Sequence, residues 1–121
     1  MGLRALVADD SGVMRKIIVR AANAAGIDDV TEAVDGADAI QKFSAGEFDD
    51  VLTDSNMQNK SGLEVIQALR QAGSDVPIIM VTTEGEKSHV LEAIQAGVTD
   101  YLTKPFESDD LLKKIDKLAL A

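Results

Sequence analysis

The chain alternates between amphipathic segments and short apolar runs. Five segments place apolar residues three or four positions apart, which is the spacing of one face of an α-helix. In chain order, the apolar stripes are Val13, Ile17, Ile18, Ala21 and Ala25; Ala37, Ile40 and Phe43; Leu63, Ile66 and Leu69; Val90, Leu91 and Ile94; and Leu111, Leu112, Ile115, Leu118 and Ala119. The pattern predicts five helices, the last of which runs to the end of the sequence.

An Ala-Gly pair follows four of these predicted helices. The glycines of the pairs are Gly26, Gly46, Gly73 and Gly97. Glycine just beyond a helix commonly adopts the left-handed conformation that ends it. We therefore expect each of the four helices to end at its glycine.

Five short apolar runs lie before and between the helices, at residues 3–8, 29–33, 51–53, 76–82 and 101–103. Their shortness and their valine and isoleucine content favour strands over buried helix segments. The run at 29–33 is more polar, as an edge strand would be. Strands that alternate with helices predict an α/β fold, a doubly wound parallel sheet covered on both faces. We expect one domain over residues 1–121, without an output domain.

Composition narrows the possible classes of function. The 121 residues carry a net charge of −9, which argues against direct nucleic-acid binding because that function needs a basic face. The sequence has no cysteine, so disulfides and thiolate metal sites are excluded. Its apolar runs are too short for a signal-peptide core or for a membrane span of about 20 residues. We expect a cytoplasmic protein that binds neither nucleic acid nor membrane.

Polar residues leave four of the predicted strands at their carboxyl ends. Asp9 and Asp10 follow the first strand, Asp54 follows the third, Thr82 ends the fourth and Lys104 follows the fifth. The carboxyl ends of parallel strands share one edge of a sheet, where such folds bind ligands, so we expect these side chains to lie together. Each residue also has a structural interpretation: a helix cap for the aspartate pair, a strand residue for the threonine and a solvated charge for the lysine.

Clustered carboxylates suggest a specific chemistry. Three of them repel one another and raise the pKa of at least one unless a cation is bound. Oxygen ligands without histidine or cysteine suit Mg²⁺ or Mn²⁺. A lysine and a hydroxyl beside them would neutralise and hydrogen-bond transferred phosphoryl oxygens. Asp54 is then a candidate nucleophile that accepts a phosphoryl group as an acyl phosphate.

These residues resemble the receiver domain of two-component response regulators, and the likeness covers essentially the whole chain. The matching segments read DDSGVMR, EAVDGADAI, SGLEVI, VTTEGEK and QAGVTDYLTKPF. The likeness is strongest to the single-domain chemotaxis regulators of the CheY type. The resemblance implies a flavodoxin-like fold, in which five helices cover a five-stranded parallel sheet of order 2-1-3-4-5.

The resemblance also implies a role for each site residue. Asp54 would be the phospho-acceptor, and Lys104 would contact the phosphoryl group. Asp10 would bind Mg²⁺ directly and Asp9 mainly through water. Asp54 and the backbone carbonyl of Asn56 would complete the protein ligands.

A conformational switch is implied as well. Thr82 would move to hydrogen-bond the phosphoryl oxygen, and Tyr101 would follow it inward. The face formed by the fourth helix, the fifth strand and the fifth helix would thereby change. The bond between Lys104 and Pro105 would be a cis peptide.

Some positions bear on the lifetime of the phosphorylated state. Asn56 and Glu84 lie two residues beyond the acceptor and the threonine, where the family tunes access of the hydrolytic water. The same pair occurs in fast-resetting chemotaxis regulators, so we predict a short-lived phosphorylated state. Departures from the family pattern are Ser55, Gln58, Lys60, Ser61 and Thr83. None of them removes a catalytic group, so we expect them to affect donor recognition and lifetime.

The implied partners are a histidine kinase of the chemotaxis type and either a flagellar motor switch protein or a histidine phosphotransfer protein. The receiver is expected to be a monomer that catalyses only its own phosphorylation and dephosphorylation. A role as a phosphorelay intermediate or as a phosphate sink stays open. An aspartyl-phosphate phosphohydrolase is disfavoured, since Asn56 stands where such enzymes need a second acid. A receiver that no longer switches is disfavoured because all four central site residues are present: Asp10, Asp54, Thr82 and Lys104.

Two further interpretations concern single residues. His89, the only histidine, is interpreted as a solvated residue of the fourth helix and not as a phosphotransfer group. Met14, Met57 and Met80 are interpreted as packing residues.

Overall fold

The computed structural model describes residues 3–82, 87–104 and 106–119. Strands and helices alternate throughout this part of the chain. The elements are β1 (Arg4–Ala8), α1 (Gly12–Ala24), β2 (Asp29–Ala33), α2 (Gly36–Ala45), β3 (Asp50–Thr53), α3 (Gly62–Gln71), β4 (Ile78–Thr82), α4 (Lys87–Ala96), β5 (Asp100–Thr103) and α5 (Ser108–Ala119).

The five strands form one parallel sheet of order β2-β1-β3-β4-β5, which confirms the predicted fold. The polar strand β2 lies at an edge, as expected. The register of the paired strands aligns their carboxyl ends. Ala8 of β1 lies beside Thr53 of β3, and Thr82 of β4 lies beside Thr103 of β5. The residues that follow these strands therefore emerge at one edge of the sheet.

Side chains of β1 alternate between two apolar layers, one on each face of the sheet. Leu6 and Ala8 pack in a core that also contains residues of α2, α3 and α4. Ala5 and Val7 pack in a second core with residues of α1 and α5. Strands buried on both faces read as continuous apolar runs, because successive side chains point to opposite faces. This is why the central strands were recognisable in the sequence.

The predicted helix ends are confirmed at three glycines. Gly26, Gly73 and Gly97 have positive φ angles of 94°, 87° and 105°, the region that favours glycine. At Gly46 the prediction of a left-handed conformation is wrong. This residue ends α2 with extended backbone, at φ −135° and ψ −177°.

Strand β4 begins later than predicted. The apolar run starts at Val76, but the strand starts at Ile78. Pro77 precedes it and has no N–H to donate to a neighbouring strand, while its carbonyl still accepts a hydrogen bond from Val51 N at 2.9 Å.

The predicted helix stripes are wrong in part. Val13 and Ile17 of α1 are 75% and 37% exposed, and Leu91 and Ile94 of α4 are 46% and 56% exposed. Ala37 is also exposed. The buried anchors of α1 are Ile18, Ala21 and Ala22, and the buried residue of α4 is Ala93. Periodicity locates a helix, but it does not decide whether a large residue or an adjacent alanine faces the sheet. The side chains of Leu118 and Ala119 lie outside the described part of the chain.

Methionines pack in the core as predicted. Met57 and Met80 are buried in one core, and Met14 packs against the other. None of the helices in the described ranges has the length and hydrophobicity of a membrane span.

Candidate functional site

Three carboxylates meet at the carboxyl edge of the sheet. Asp9 and Asp10 follow β1, and Asp54 follows β3. One carboxylate oxygen from each residue lies within 4.8 Å of the others. Asp9 and Asp54 are buried, whereas Asp10 is exposed. The sequence-based expectation that these three side chains lie together is therefore confirmed.

Lys104 lies between two of the carboxylates. Its Nζ is 3.1 Å from Asp9 Oδ2 and 3.7 Å from Asp54 Oδ1. The lysine side chain is only 13% exposed. Its backbone N–H donates to the carbonyl of Thr82 at 2.6 Å, so the end of β5 is tied to the end of β4. The interpretation of Lys104 as a solvated loop charge is wrong, because its ammonium group is enclosed by the two carboxylates.

Asp9 is held by the start of α1. Ser11 N donates to Asp9 Oδ1 at 2.9 Å, and the guanidinium of Arg15 donates to the Asp9 carbonyl at 2.8 Å. The N-cap of α1 is Ser11, whose Oγ accepts from Met14 N at 3.2 Å. The interpretation of the aspartate pair as helix caps is therefore wrong, and the carboxylate of Asp9 faces the cluster.

Burial raises the pKa of the Asp54 carboxyl above its ordinary value. The ammonium group of Lys104 opposes this increase, whereas the negative charge of Asp9 adds to it. The N–H of Ser55 donates to Asp54 Oδ1 at 2.8 Å and lowers the pKa in turn. Burial and the charge of Asp9 therefore disfavour the ionised form of Asp54, and Lys104 and the N–H of Ser55 favour it.

The loop after Asp54 is tightly packed against the start of α3. Gly62 N donates to the Ser55 carbonyl at 2.9 Å. A Cβ atom at Gly62 would lie 2.1 Å from the carbonyl oxygen of Asp54, so only glycine fits there. Ser61 caps α3 through a capping box with Glu64. The position of the Asp54 backbone therefore depends on this helix start.

Thr82 is fully buried at the end of β4. Its hydroxyl forms a hydrogen bond with the hydroxyl of Ser55. Tyr101 lies on the neighbouring strand β5 and is partly buried against the apolar core. Thr82 and Tyr101 therefore lie on adjacent strands. Thr82 is at the site, and Tyr101 is beside it.

A cleft of about 240 Å³ borders the site between α3, α4 and β5. Its lining includes Ser55, Asn56, Met80, His89 and Tyr101. The interpretation of His89 as a solvated residue is wrong, since the residue is only partly exposed and its Nδ1 is buried. The helix turns this side chain towards the cleft, which a sequence pattern of α4 alone does not reveal.

Glu84, Thr83 and Pro105 lie outside the described residues. The predictions for Glu84 and Thr83, and that of a cis peptide bond between Lys104 and Pro105, are therefore not tested by the structure.

The donor set fits a hard divalent cation. The three side chains of the cluster supply only carboxylate oxygens, which suit such cations. One carboxylate is exposed, so an ion can enter without unfolding the site. The cluster is compatible with a divalent metal site.

Comparisons with known proteins agree with this geometry. The family described as the response regulator receiver domain matches residues 5–116. The chain belongs to the response regulator receiver family. It is 40% identical over 117 residues to the chemotaxis protein CheY1 of Helicobacter pylori, with 94% of each chain covered. It is 36% identical over 118 residues to the chemotaxis protein CheY of Pseudomonas aeruginosa, with 96% of this chain and 95% of the relative covered.

A solved structure supports the same conclusion. The chemotaxis response regulator CheY4 of Vibrio cholerae superposes on the receiver with a TM-score of 0.89 at 32% identity. The alignment covers 98% of this chain and 99% of that one. The protein is therefore a two-component response regulator. Receivers of this family are signalling regulators and not classical enzymes.

Sequence reasoning missed three supports of the receiver site. Arg15 and Ser11 hold Asp9, and Gly62 leaves room for the backbone of Asp54. Ser61-Gly62 before an apolar stripe is a recognisable helix start, so the helix itself had a signal. The close approach of Gly62 to the backbone of Asp54 had no signal in the sequence, because it depends on how α3 packs against the end of β3.

Proposed function

We propose that the receiver accepts a phosphoryl group on Asp54 from a histidine kinase and then changes its α4-β5-α5 face to bind a target in chemotaxis. The proposal is carried mainly by the ammonium group of Lys104. This group lies 3.1 Å from Asp9 and 3.7 Å from Asp54, beside a three-carboxylate cluster. An ammonium group positioned beside a carboxylate nucleophile can neutralise the oxygens of a transferred phosphoryl group.

Asp54 acts as the nucleophile. One of its carboxylate oxygens attacks the phosphorus atom while the bond from phosphorus to the donor breaks, and the departing imidazole keeps the electron pair of that bond. The product is an acyl phosphate. Lys104 neutralises the transferred oxygens, and Thr82 donates a hydrogen bond to one of them. The receiver catalyses only its own phosphorylation and dephosphorylation.

Mg²⁺ is the proposed cofactor, with Mn²⁺ as an alternative. Asp9, Asp10, Asp54 and the backbone carbonyl of Asn56 would hold it, and Asp9 would act mainly through water. When bound, the ion supplies positive charge to the carboxylates and to the phosphoryl oxygens. The exposed carboxylate of Asp10 and the buried one of Asp9 support this division of roles.

The switch couples the site to the target-binding face. Thr82 turns towards the phosphoryl group, and Tyr101 moves inward beside it. The cleft of about 240 Å³ next to Tyr101 supports this proposal, because it provides the space for such a movement. Leu91 and Ile94 of α4 are exposed large apolar residues, which suits a face that binds a protein.

The proposed partners are a chemotaxis histidine kinase and a flagellar motor switch protein. The similarity to the chemotaxis proteins CheY1 and CheY supports this choice over a phosphorelay through a histidine phosphotransfer protein. Binding of each candidate target to the receiver, with and without the phosphoryl analogue beryllofluoride, distinguishes the two. We expect the analogue to strengthen binding to the motor switch protein.

Intact mass spectrometry tests the chemistry. The receiver is incubated with Mg²⁺ and a small phosphodonor, and its mass is compared with that of Asp54→Asn. We expect the gain of one phosphoryl group in the parent protein and none in the variant. Equal labelling of the two proteins, or labelling that survives removal of every divalent cation, contradicts the proposal.

The phosphorylated state is proposed to be short-lived. Asn56, which is exposed at the rim of the cleft, and Glu84 would admit the hydrolytic water. The measurement is the decay of the acyl phosphate after the donor is removed. A slow decay in the parent receiver that Asn56→Asp leaves unchanged would argue against the proposal that Asn56 and Glu84 admit the hydrolytic water.

A further inference from the structure

Ser55 directly follows the proposed acceptor, and its hydroxyl forms a hydrogen bond with the hydroxyl of Thr82. The backbone of Ser55 is held on both sides. Its N–H donates to Asp54 Oδ1 at 2.8 Å, and its carbonyl accepts from Gly62 N at 2.9 Å. The serine hydroxyl therefore projects from a fixed backbone, and the hydrogen bond acts as a restraint on Thr82.

We propose that Ser55 is a positioning residue that holds Thr82 in its unphosphorylated arrangement. The inference rests on the proposed function, in which Thr82 turns to a phosphoryl oxygen on Asp54. Ser55 borders the cleft with Met80 and Tyr101, whereas the Asp54 carboxylate faces Lys104. In the proposed switch the Thr82 hydroxyl leaves Ser55 to donate to a phosphoryl oxygen on Asp54, so the hydrogen bond to Ser55 opposes that movement.

When Thr82 turns from Ser55 to a phosphoryl oxygen, the Ser55 hydroxyl can bond to water instead. Ser55 is only partly buried and lines a cleft of about 240 Å³ that has room for water. Its hydroxyl is therefore solvated once Thr82 leaves, and the cost of breaking the bond stays near that of one net hydrogen bond. A restraint of that size shifts the equilibrium between the two states without preventing the switch.

Ser55→Ala tests this restraint. Removing the serine hydroxyl favours the arrangement in which Thr82 contacts a phosphoryl group. With Mg²⁺ in excess, we expect beryllofluoride to bind Ser55→Ala about two- to ten-fold more tightly than the parent receiver, the range that corresponds to one net hydrogen bond. Ser55→Thr keeps the hydroxyl and is expected to retain the parent affinity.

Fluorescence of Tyr101 reports the binding, because the chain has one tyrosine and no tryptophan. Magnesium affinity is measured separately and is expected to be the same in all variants, since Ser55 contributes no carboxylate. In a Thr82→Val background, Ser55→Ala is expected to have no effect, because the partner of the serine hydroxyl is already gone. Ser55→Cys, which keeps the volume with a weaker donor, replaces the alanine variant should that variant unfold.

Unchanged or weaker beryllofluoride binding in Ser55→Ala would overturn the inference. Tighter binding that Ser55→Thr shares, or that persists in the Thr82→Val background, would also overturn it, because the effect would then arise from packing. A parent receiver that binds no beryllofluoride in the presence of Mg²⁺ would instead refute the proposed function, and the role of Ser55 with it.

Discussion

Lys104 is the residue on which the electrostatics of the site depend. Its ammonium group lies 3.1 Å from the carboxylate of Asp9 and 3.7 Å from that of Asp54, and both of those carboxylates are buried. An ionised carboxylate is stable in such an environment only when opposite charge or hydrogen bonds compensate for burial. Lys104 therefore compensates the charge of the two buried carboxylates, and under the proposed function it also neutralises the transferred phosphoryl oxygens.

Lys104→Gln is expected to slow phosphorylation by a small phosphodonor by roughly 10²- to 10³-fold, because one positioned donor to the transferred oxygens is lost. The measurement is the rate of acyl-phosphate formation at saturating Mg²⁺. Lys16→Gln is the matched control, since the Lys16 side chain is 69% exposed on α1. Rates within a factor of about three for the two variants would contradict this role of Lys104.

A second buried acid, Asp50, lies away from the site at the start of β3. It is 3% exposed, and burial raises the pKa of its carboxyl to about 6, with the negative charge of Asp49 acting in the same direction. The folded-state pKa lies above the ordinary value of 3.8. Asp50 therefore binds its proton more tightly in the folded protein than in the unfolded chain. Stability is lost as the pH rises from 3.8 to about 6.

Asp50→Asn is expected to remove this loss of stability. At about pH 8 the variant should be more stable than the parent by at most about 3 kcal/mol, and the advantage should vanish at about pH 4. Urea unfolding at both pH values measures the difference. An equal free-energy difference at the two pH values would show that Asp50 does not titrate in this way.

At the scale of an element, the start of α3 positions the backbone of Asp54, the proposed acceptor. Gly62→Ala would place a Cβ atom 2.1 Å from the carbonyl oxygen of Asp54. We expect a loss of roughly 1–3 kcal/mol in the free energy of unfolding, since the backbone must shift. Phosphorylation should slow as well, because the acceptor moves with the loop. Urea unfolding and the rate of acyl-phosphate formation measure the two effects.

Gly12→Ala is the matched control for this change. Gly12 is also the first residue of a helix, and it also follows a serine N-cap. A Cβ atom there would meet only the flexible end of Arg15, at 3.7 Å. Equal destabilisation by the two variants would refute the importance of the close approach at Gly62.

The elements themselves were largely predictable from the sequence, and their packing was less so. Strands buried on both faces have a continuous apolar signal, and glycines at positive φ mark three helix ends. The inner face of α4 was not predictable. Ala93 packs inward there, while Leu91 and Ile94 are exposed. Small residues face the sheet where a helix approaches closely, and that distance is set by the whole fold.

The same distinction holds at the site. Asp9, Asp54 and Lys104 were predictable as neighbours because each follows a parallel strand at the same edge. The hydrogen bond between Ser55 and Thr82 was not predictable from the sequence, because it depends on the directions of side chains that follow or end two different strands.

At the scale of the whole molecule, we expect cation binding to be linked to folding. The chain has a net charge of −9, and three of its carboxylates are clustered. Mg²⁺ that binds only the folded state stabilises it by an amount that grows with concentration, about 2.7 kcal/mol at 100 times the dissociation constant. We expect this gain in the free energy of unfolding for the parent receiver.

Asp10→Asn is expected to lose most of this stabilisation, since the exposed carboxylate can be replaced without disturbing the core. Urea unfolding with and without Mg²⁺ measures the effect. KCl at matched ionic strength is the control, because it screens the acidic surface without a specific site. A similar gain with KCl, or with Asp10→Asn, would assign the stabilisation to general screening.

The central claim is that Asp54 itself carries the phosphoryl group, and chemical trapping tests it most directly. Borohydride reduces an acyl phosphate to an alcohol, so a phosphorylated aspartate becomes homoserine. The receiver is phosphorylated with Mg²⁺ and a small phosphodonor, reduced and digested, and its peptides are sequenced by mass spectrometry. We predict homoserine at position 54 and unaltered aspartate at Asp9 and Asp10. Homoserine at either of those positions, with Asp54 unaltered, would contradict it.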